Sequence, residues 1–147
     1  MVELRDPNQL GALSARLRPE ERPNPDALVS AALEAMRMSA HANAAALLDA
    51  ALLSDPRHPR AWAARGMLEE REGHLDGAAR AYETALALED RDALSALALA
   101  QIYARGAHKD RARALLNFLV LEESLPLEVK QKVIALKRQL DAERAGA

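Results

Sequence analysis

The chain has 147 residues, a formal net charge of −2 and no cysteine. Ala (33) and Leu (25) supply most of its apolar half, and aromatics make up 3%. Strand-favouring residues are therefore scarce, which argues against an all-β or doubly wound α/β domain. The charge offers no basic field for nucleic acid or an anionic membrane, and the lack of thiols excludes disulfides, thiol catalysis and thiolate metal sites.

In chain order, residues 8–18 place Leu10, Leu13 and Leu17 on one face of a short helix. Pro19, Pro23 and Pro25 then punctuate a linker that cannot continue it. The first 24 residues form an extension with three open roles: lying back on the first unit, reaching a second subunit, or staying free. No apolar h-region follows Met1 to Asp6, and no stretch approaches 18 uninterrupted apolar residues. No signal peptide and no transmembrane helix are expected, and a cytoplasmic location fits.

From residue 25 the pattern predicts helix pairs: 26–38 with 42–54, 59–72 with 76–88, and 92–105 with 110–121. A seventh helix, 127–143, follows Pro126. Its Val129, Val133, Ile134, Leu136 and Leu140 are expected inward, with Lys130, Lys132, Lys137 and Arg138 toward water. Gly73 and Gly106 are expected as residues of positive φ after the first helices of their pairs. Asp76 and Asp110, 34 apart, suit the N-caps of the second helices.

A 34-residue period underlies this layout. Ala44, Ala78 and Ala112 share one column; Ala32, Gly66 and Ala100 share another. Leu48, Tyr82 and Leu116 form a large apolar column, with Leu47, Ala81 and Leu115 beside it and Ala51, Ala85 and Leu119 following. Small columns let helices approach, and large ones fill the gaps. Pro56, Asp90 and Ser124 punctuate the units at the same period.

The middle unit, with Trp62, Gly66, Gly73, Ala78, Tyr82 and Ala85 at characteristic spacings, resembles the tetratricopeptide repeat. Leu28, Ala32, Ala44, Leu48, Ala51 and Pro56 carry the likeness in the first unit, and Leu99, Ala100, Tyr103, Ala112, Leu116 and Leu119 in the third. Arg65 departs from it, standing where the family usually has Leu. The resemblance implies an all-α right-handed solenoid of three helix-turn-helix pairs (25–58, 59–92, 93–126). Residues 127–147 follow as a capping helix and tail.

In that family the first helices of the pairs line a concave face that binds other proteins. Carried onto this chain, that face takes Val29, Leu33, Met36 and Arg37 from the first unit. The second contributes Arg60, Ala63, Met67 and Arg71, and the third Leu97, Gln101 and Arg105. Asp26, Glu70, Leu94 and Ala104 are carried onto the same face. The expected partner is another protein, as an extended peptide or an amphipathic helix. Methionine adapts to varied apolar side chains, and arginine recognises carboxylates. The Lys and Asn clamp with which some relatives hold a chaperone's C-terminal carboxylate is disfavoured, because Val29 and Leu33 stand in its places. The expected function is an adaptor or scaffold. The alternative is a small cytoplasmic chaperone of a bacterial secretion system: three-repeat chaperones of type III translocators are similar in length, acidity and N-terminal extension. A homodimer through residues 1–24 belongs to that layout.

Catalysis is not expected, and neither is a cofactor or metal. His41, His74 and His108 recur in successive inter-helix turns, too far apart to converge on one ion. His58 is also expected in a turn. Glu69, Glu70, Arg71 and Glu72 cross several helix faces and are expected as a solvated helix end. Trp62, Tyr82 and Tyr103 are expected in the core. Phe118, with Leu119, Val120 and Leu121, exceeds one apolar stripe and is either packed or part of an interface.

Overall fold

The structure, a computed structural model, describes residues 23–146. Among them are seven α-helices and no strand: α1 Pro25–Arg37, α2 His41–Ser54, α3 Pro59–Arg71, α4 Leu75–Leu88, α5 Ala93–Arg105, α6 Lys109–Val120 and α7 Leu127–Ala145. Each falls within two residues of its sequence-predicted span. The chain divides into two compact units, Met1–Glu89 and Asp90–Ala147.

The first helices of the three pairs begin at a capping column with the same 34-residue period. Asn24, His58 and Asp92 are 34 apart, and each accepts a backbone N–H with its side chain, from Asp26, Ala61 and Ser95 respectively. Pro25 and Pro59 follow at positions where a missing N–H costs nothing and a fixed φ helps. The second helices are capped differently. Ala40, His74 and His108 precede them without a side-chain cap bond. Asp76 and Asp110 are therefore not N-caps; they lie inside the first turn, where a carboxylate still complements the helix dipole.

The turns inside the first two pairs share one geometry. Ser39 (φ 60°) and Gly73 (φ 82°) are left-handed, and the next N–H reaches back to Ala35 and Glu69 at 2.8 Å. Gly106 has φ −109°, so its expected positive φ does not occur; its N–H bonds to Tyr103 at 3.2 Å instead. The glycine stands one place before the column of Ser39 and Gly73, and the third turn closes by a shorter path. Gly73→Ala should cost about 1 kcal/mol, and Ser39→Gly should gain up to about 1 kcal/mol, because only glycine adopts this region without a Cβ penalty. Urea unfolding midpoints check both signs.

In the first unit, α1 packs on α2, α3 on α4, and α3 also on α1 and α2. Val29, Ala32 and Met36 of α1 meet Ala44, Leu48 and Ala51 of α2 and Ala61, Ala64 and Leu68 of α3 in one apolar cluster. Gly66 lies against Tyr82: a Cβ on the glycine would stand 2.8 Å from two atoms of the ring. In the second unit, α5 packs on α6, and α7 packs on both. Buried Ala100, Ala112, Leu116, Leu119, Val133 and Leu140 form its core. Ile134 departs from expectation and stays 44% exposed, whereas Val133 and Leu140 are covered as expected.

Candidate partner-binding surface

Helix α3 presents the most continuous of the expected stripes. Its buried side carries Ala61, Ala64 and Leu68, at i, i+3 and i+7. The remaining side carries Arg60, Ala63, Met67 and Arg71, which lie within roughly a quarter of the helix circumference at 100° per residue. Arg60, Met67 and Arg71 are exposed and Ala63 is half-buried. Met67 is 39% exposed, so part of an apolar side chain faces solvent between Arg60 and Arg71. Arg71 also ties α3 to α1, its Nη1 donating to the Met36 carbonyl at 2.8 Å.

On α1, Leu33 is half-buried and Arg37 is exposed. Two nitrogens of Arg37 donate to Glu34 at 2.6 and 3.2 Å. That bonding and attraction hold the Glu34 carboxyl below, and the Arg37 guanidinium above, their ordinary ranges. A partner carboxylate at Arg37 would compete with Glu34. Val29 and Met36 correct the expected groove: both are fully covered and belong to the cluster between α1, α2 and α3. They share the stripe of Ala32, so they form the floor beneath the surface and do not line it.

The second unit behaves similarly. Leu97 is buried among Ala96 and Ala100, again a floor residue. Gln101 and Arg105, with Ala104, line an open cavity of about 330 Å³ between α5 and α7, closed on the other side by Leu136 and Gln139. Leu94, at the start of α5, is 69% exposed.

The titratable clusters have structural partners. His58 is buried; its Nδ1 accepts the Ala61 N–H at 3.2 Å, so Nε2 carries the proton that it donates to Asp26 at 2.6 Å. It thereby caps α3 and ties it to the first turn of α1. His58→Ala should cost roughly 2 kcal/mol by removing the cap and the buried bond together, and His58→Asn should recover the cap part alone. Chemical denaturation of the two variants separates the contributions.

The acidic run is solvated at Arg71 and Glu72, as expected, whereas Glu69 and Glu70 are half-buried and bonded. Glu69 pairs with Arg65 and His74, and Glu70 accepts the Tyr82 hydroxyl at 2.7 Å. Arg65, the departure from the repeat pattern, reaches Asp49 of α2 at 2.5 Å. Trp62 is only half-buried, its indole N–H donating to the Pro56 carbonyl at 2.9 Å. Tyr82 and Tyr103 are buried as expected. Phe118 is 51% exposed and Leu121 is 80% exposed. No group of three metal-ligating side chains occurs among the described residues. No described helix is long and apolar enough to cross a membrane. The homodimer expected through residues 1–24 falls almost wholly outside the described residues.

No protein-family model matches the chain, and no curated protein matches it by sequence. Among solved structures it is similar to SycD, the type III secretion translocator chaperone of Yersinia enterocolitica. SycD in complex with a peptide of the translocator YopD is 15% identical, with a TM-score of 0.73 over 81% of this chain and 93% of that chain. SycD in an alternative dimer is 15% identical, with a TM-score of 0.74 over 82% and 93%. A third SycD structure is 14% identical, with a TM-score of 0.75 over 91% and 92%. The chain shares the all-helical repeat fold of that chaperone.

Proposed function

We propose that the chain is a protein-binding module of three tetratricopeptide-type repeats. It receives an extended peptide or one amphipathic helix on the accessible stripes of α1 and α3, the first helices of its first two repeats. The observation that carries this reading is the stripe of Arg60, Ala63, Met67 and Arg71 on α3. An apolar centre with cationic ends, half-open to solvent, matches an apolar segment with acidic flanks.

The likeness to SycD favours the chaperone form of this reading over a general adaptor. In that form the chain keeps an aggregation-prone apolar segment of a translocator-type partner soluble in the cytoplasm of a bacterium until export. Support comes from the shared fold, which spans 81% of this chain and 93% of a SycD chain bound to a translocator peptide. The test is co-expression with translocator-type proteins of the same genome. A chaperone raises the soluble yield of one of them and co-purifies with it. An adaptor binds a partner that is equally soluble alone, and failure to bind any protein removes both forms.

A further inference from the structure

The last helix of a stacked helical array turns a polar face to water, because no further unit covers it. Helix α7 departs from that rule in its first half. Leu127, Gln131, Ile134 and Arg138 lie within about 60° of its circumference at 100° per residue, and all four are exposed. Leu127 is 71% exposed and Ile134 44%. Beside them, α6 and α7 part to form a cavity of about 150 Å³. Its apolar walls are Leu119, Val120, Val133 and Ile134, and Glu122, Glu123 and Lys130 also line it. A space of roughly that size holds one compact apolar group.

We propose that this surface joins two copies of the chain about a two-fold axis, with α7 running antiparallel to α7 of the other copy. The axis passes midway between Leu127 and Ile134. Each Leu127 then stands over the partner's Ile134, at the mouth of the partner's cavity. A protruding side chain and a hole of matching size on one surface are what an isologous contact requires. Leu127 and Ile134 are roughly 10 Å apart along α7, so the two contacts form together.

Charge favours a second copy over an unrelated apolar segment. Glu123 precedes Leu127 by four residues, and Arg138 follows Ile134 by four. The same axis therefore brings each Glu123 toward the partner's Arg138. Both residues are exposed, and neither has an ion pair within the described residues. Lys130, the cation nearest the axis, shares its cavity with Glu122 and Glu123, which offset its charge. The contact takes its residues from α6, α7 and the turn between them and none from the α3 stripe, so its loss and the loss of segment binding are separable.

Sedimentation equilibrium of the full chain at about 50 µM should give the mass of a dimer. Leu127→Asp should weaken association about 100-fold, because it puts a carboxylate into the apolar contact. That variant keeps the fold, since Leu127 is exposed and a carboxylate suits the first turn of a helix. Arg138→Glu should weaken the dimer about tenfold, and adding Glu123→Arg should restore it, which tests the antiparallel register. A monomeric wild type leaves the surface to some other partner and overturns the proposal. A Leu127→Asp variant that stays dimeric places the contact elsewhere and overturns it too. Failure of the charge exchange to restore the dimer overturns the pairing of Glu123 with Arg138.

Discussion

Gly66→Val should destabilise the first unit by roughly 3 kcal/mol, and Gly66→Ala by up to about 2 kcal/mol after the helix-propensity gain of about 1 kcal/mol is counted. The glycine faces the ring of Tyr82, with three ring atoms within 2.9 Å of the place where a Cβ would stand. The ring has little room to yield. It is 2% exposed and its hydroxyl donates to Glu70. The 34-residue columns show how the other units solve the same crossing: Ala32 goes with Leu48, Ala100 with Leu116, and only Gly66 with the larger Tyr82. Gly66→Ala/Tyr82→Leu therefore installs the pairing of its neighbours. In the Tyr82→Leu background, Gly66→Ala should be neutral or stabilising. A double-mutant cycle by urea unfolding measures this. An alanine penalty of the same size in both backgrounds would show that the ring is not what excludes the Cβ.

Charge reversal on the α3 stripe should have the largest effect on binding. Met67→Glu places a carboxylate at the apolar centre, and Arg71→Glu replaces a cation at one end. Each should weaken a partner with an apolar core and acidic flanks by on the order of 100-fold, about 2.7 kcal/mol. Helicity should not change for Met67→Glu, since Met67 is exposed and glutamate is a good helix former. Arg71→Glu also removes the bond to the Met36 carbonyl, so it should lower stability slightly as well. Arg71→Gln separates the two roles: it removes the charge while keeping an N–H donor. Isothermal titration and thermal unfolding of the same samples distinguish lost recognition from lost folding.

Most of the helix layout was legible because two independent signals coincide. The 34-residue columns place the small and large core residues, and the turn residues repeat at the same interval. The caps were less legible. Asp76 and Asp110 carry good capping side chains two residues too late, whereas Asn24, His58 and Asp92 form a capping column of three different residue types. Reading that column by chemistry, as side chains with an acceptor, would have found it. Gly106 misled for a related reason: glycine permits a positive φ but does not require one, and its offset by one place changed the turn.

The candidate surface was legible in outline and wrong in depth. The family resemblance placed Val29, Met36 and Leu97 on the concave side of the first helices, but burial depends on which neighbouring helix covers them. Met36, expected on the surface, is a fully covered core side chain. Met67, by contrast, keeps 39% of its surface exposed on the open side of α3. The structural work of the acidic run was also hidden, since Glu70 and Tyr82 are 12 residues apart and meet only when α3 and α4 pack.

The central claim is that this chain binds a segment of another protein on the exposed side of α1 and α3. The most direct measurement starts from a partner captured from the native source and reduced to its minimal binding segment. The affinity of that purified segment is then measured for wild type and for Met67→Glu. The account predicts loss of about 100-fold in affinity with an unchanged circular dichroism spectrum. Full affinity in the variant would place the partner on another surface and contradict it.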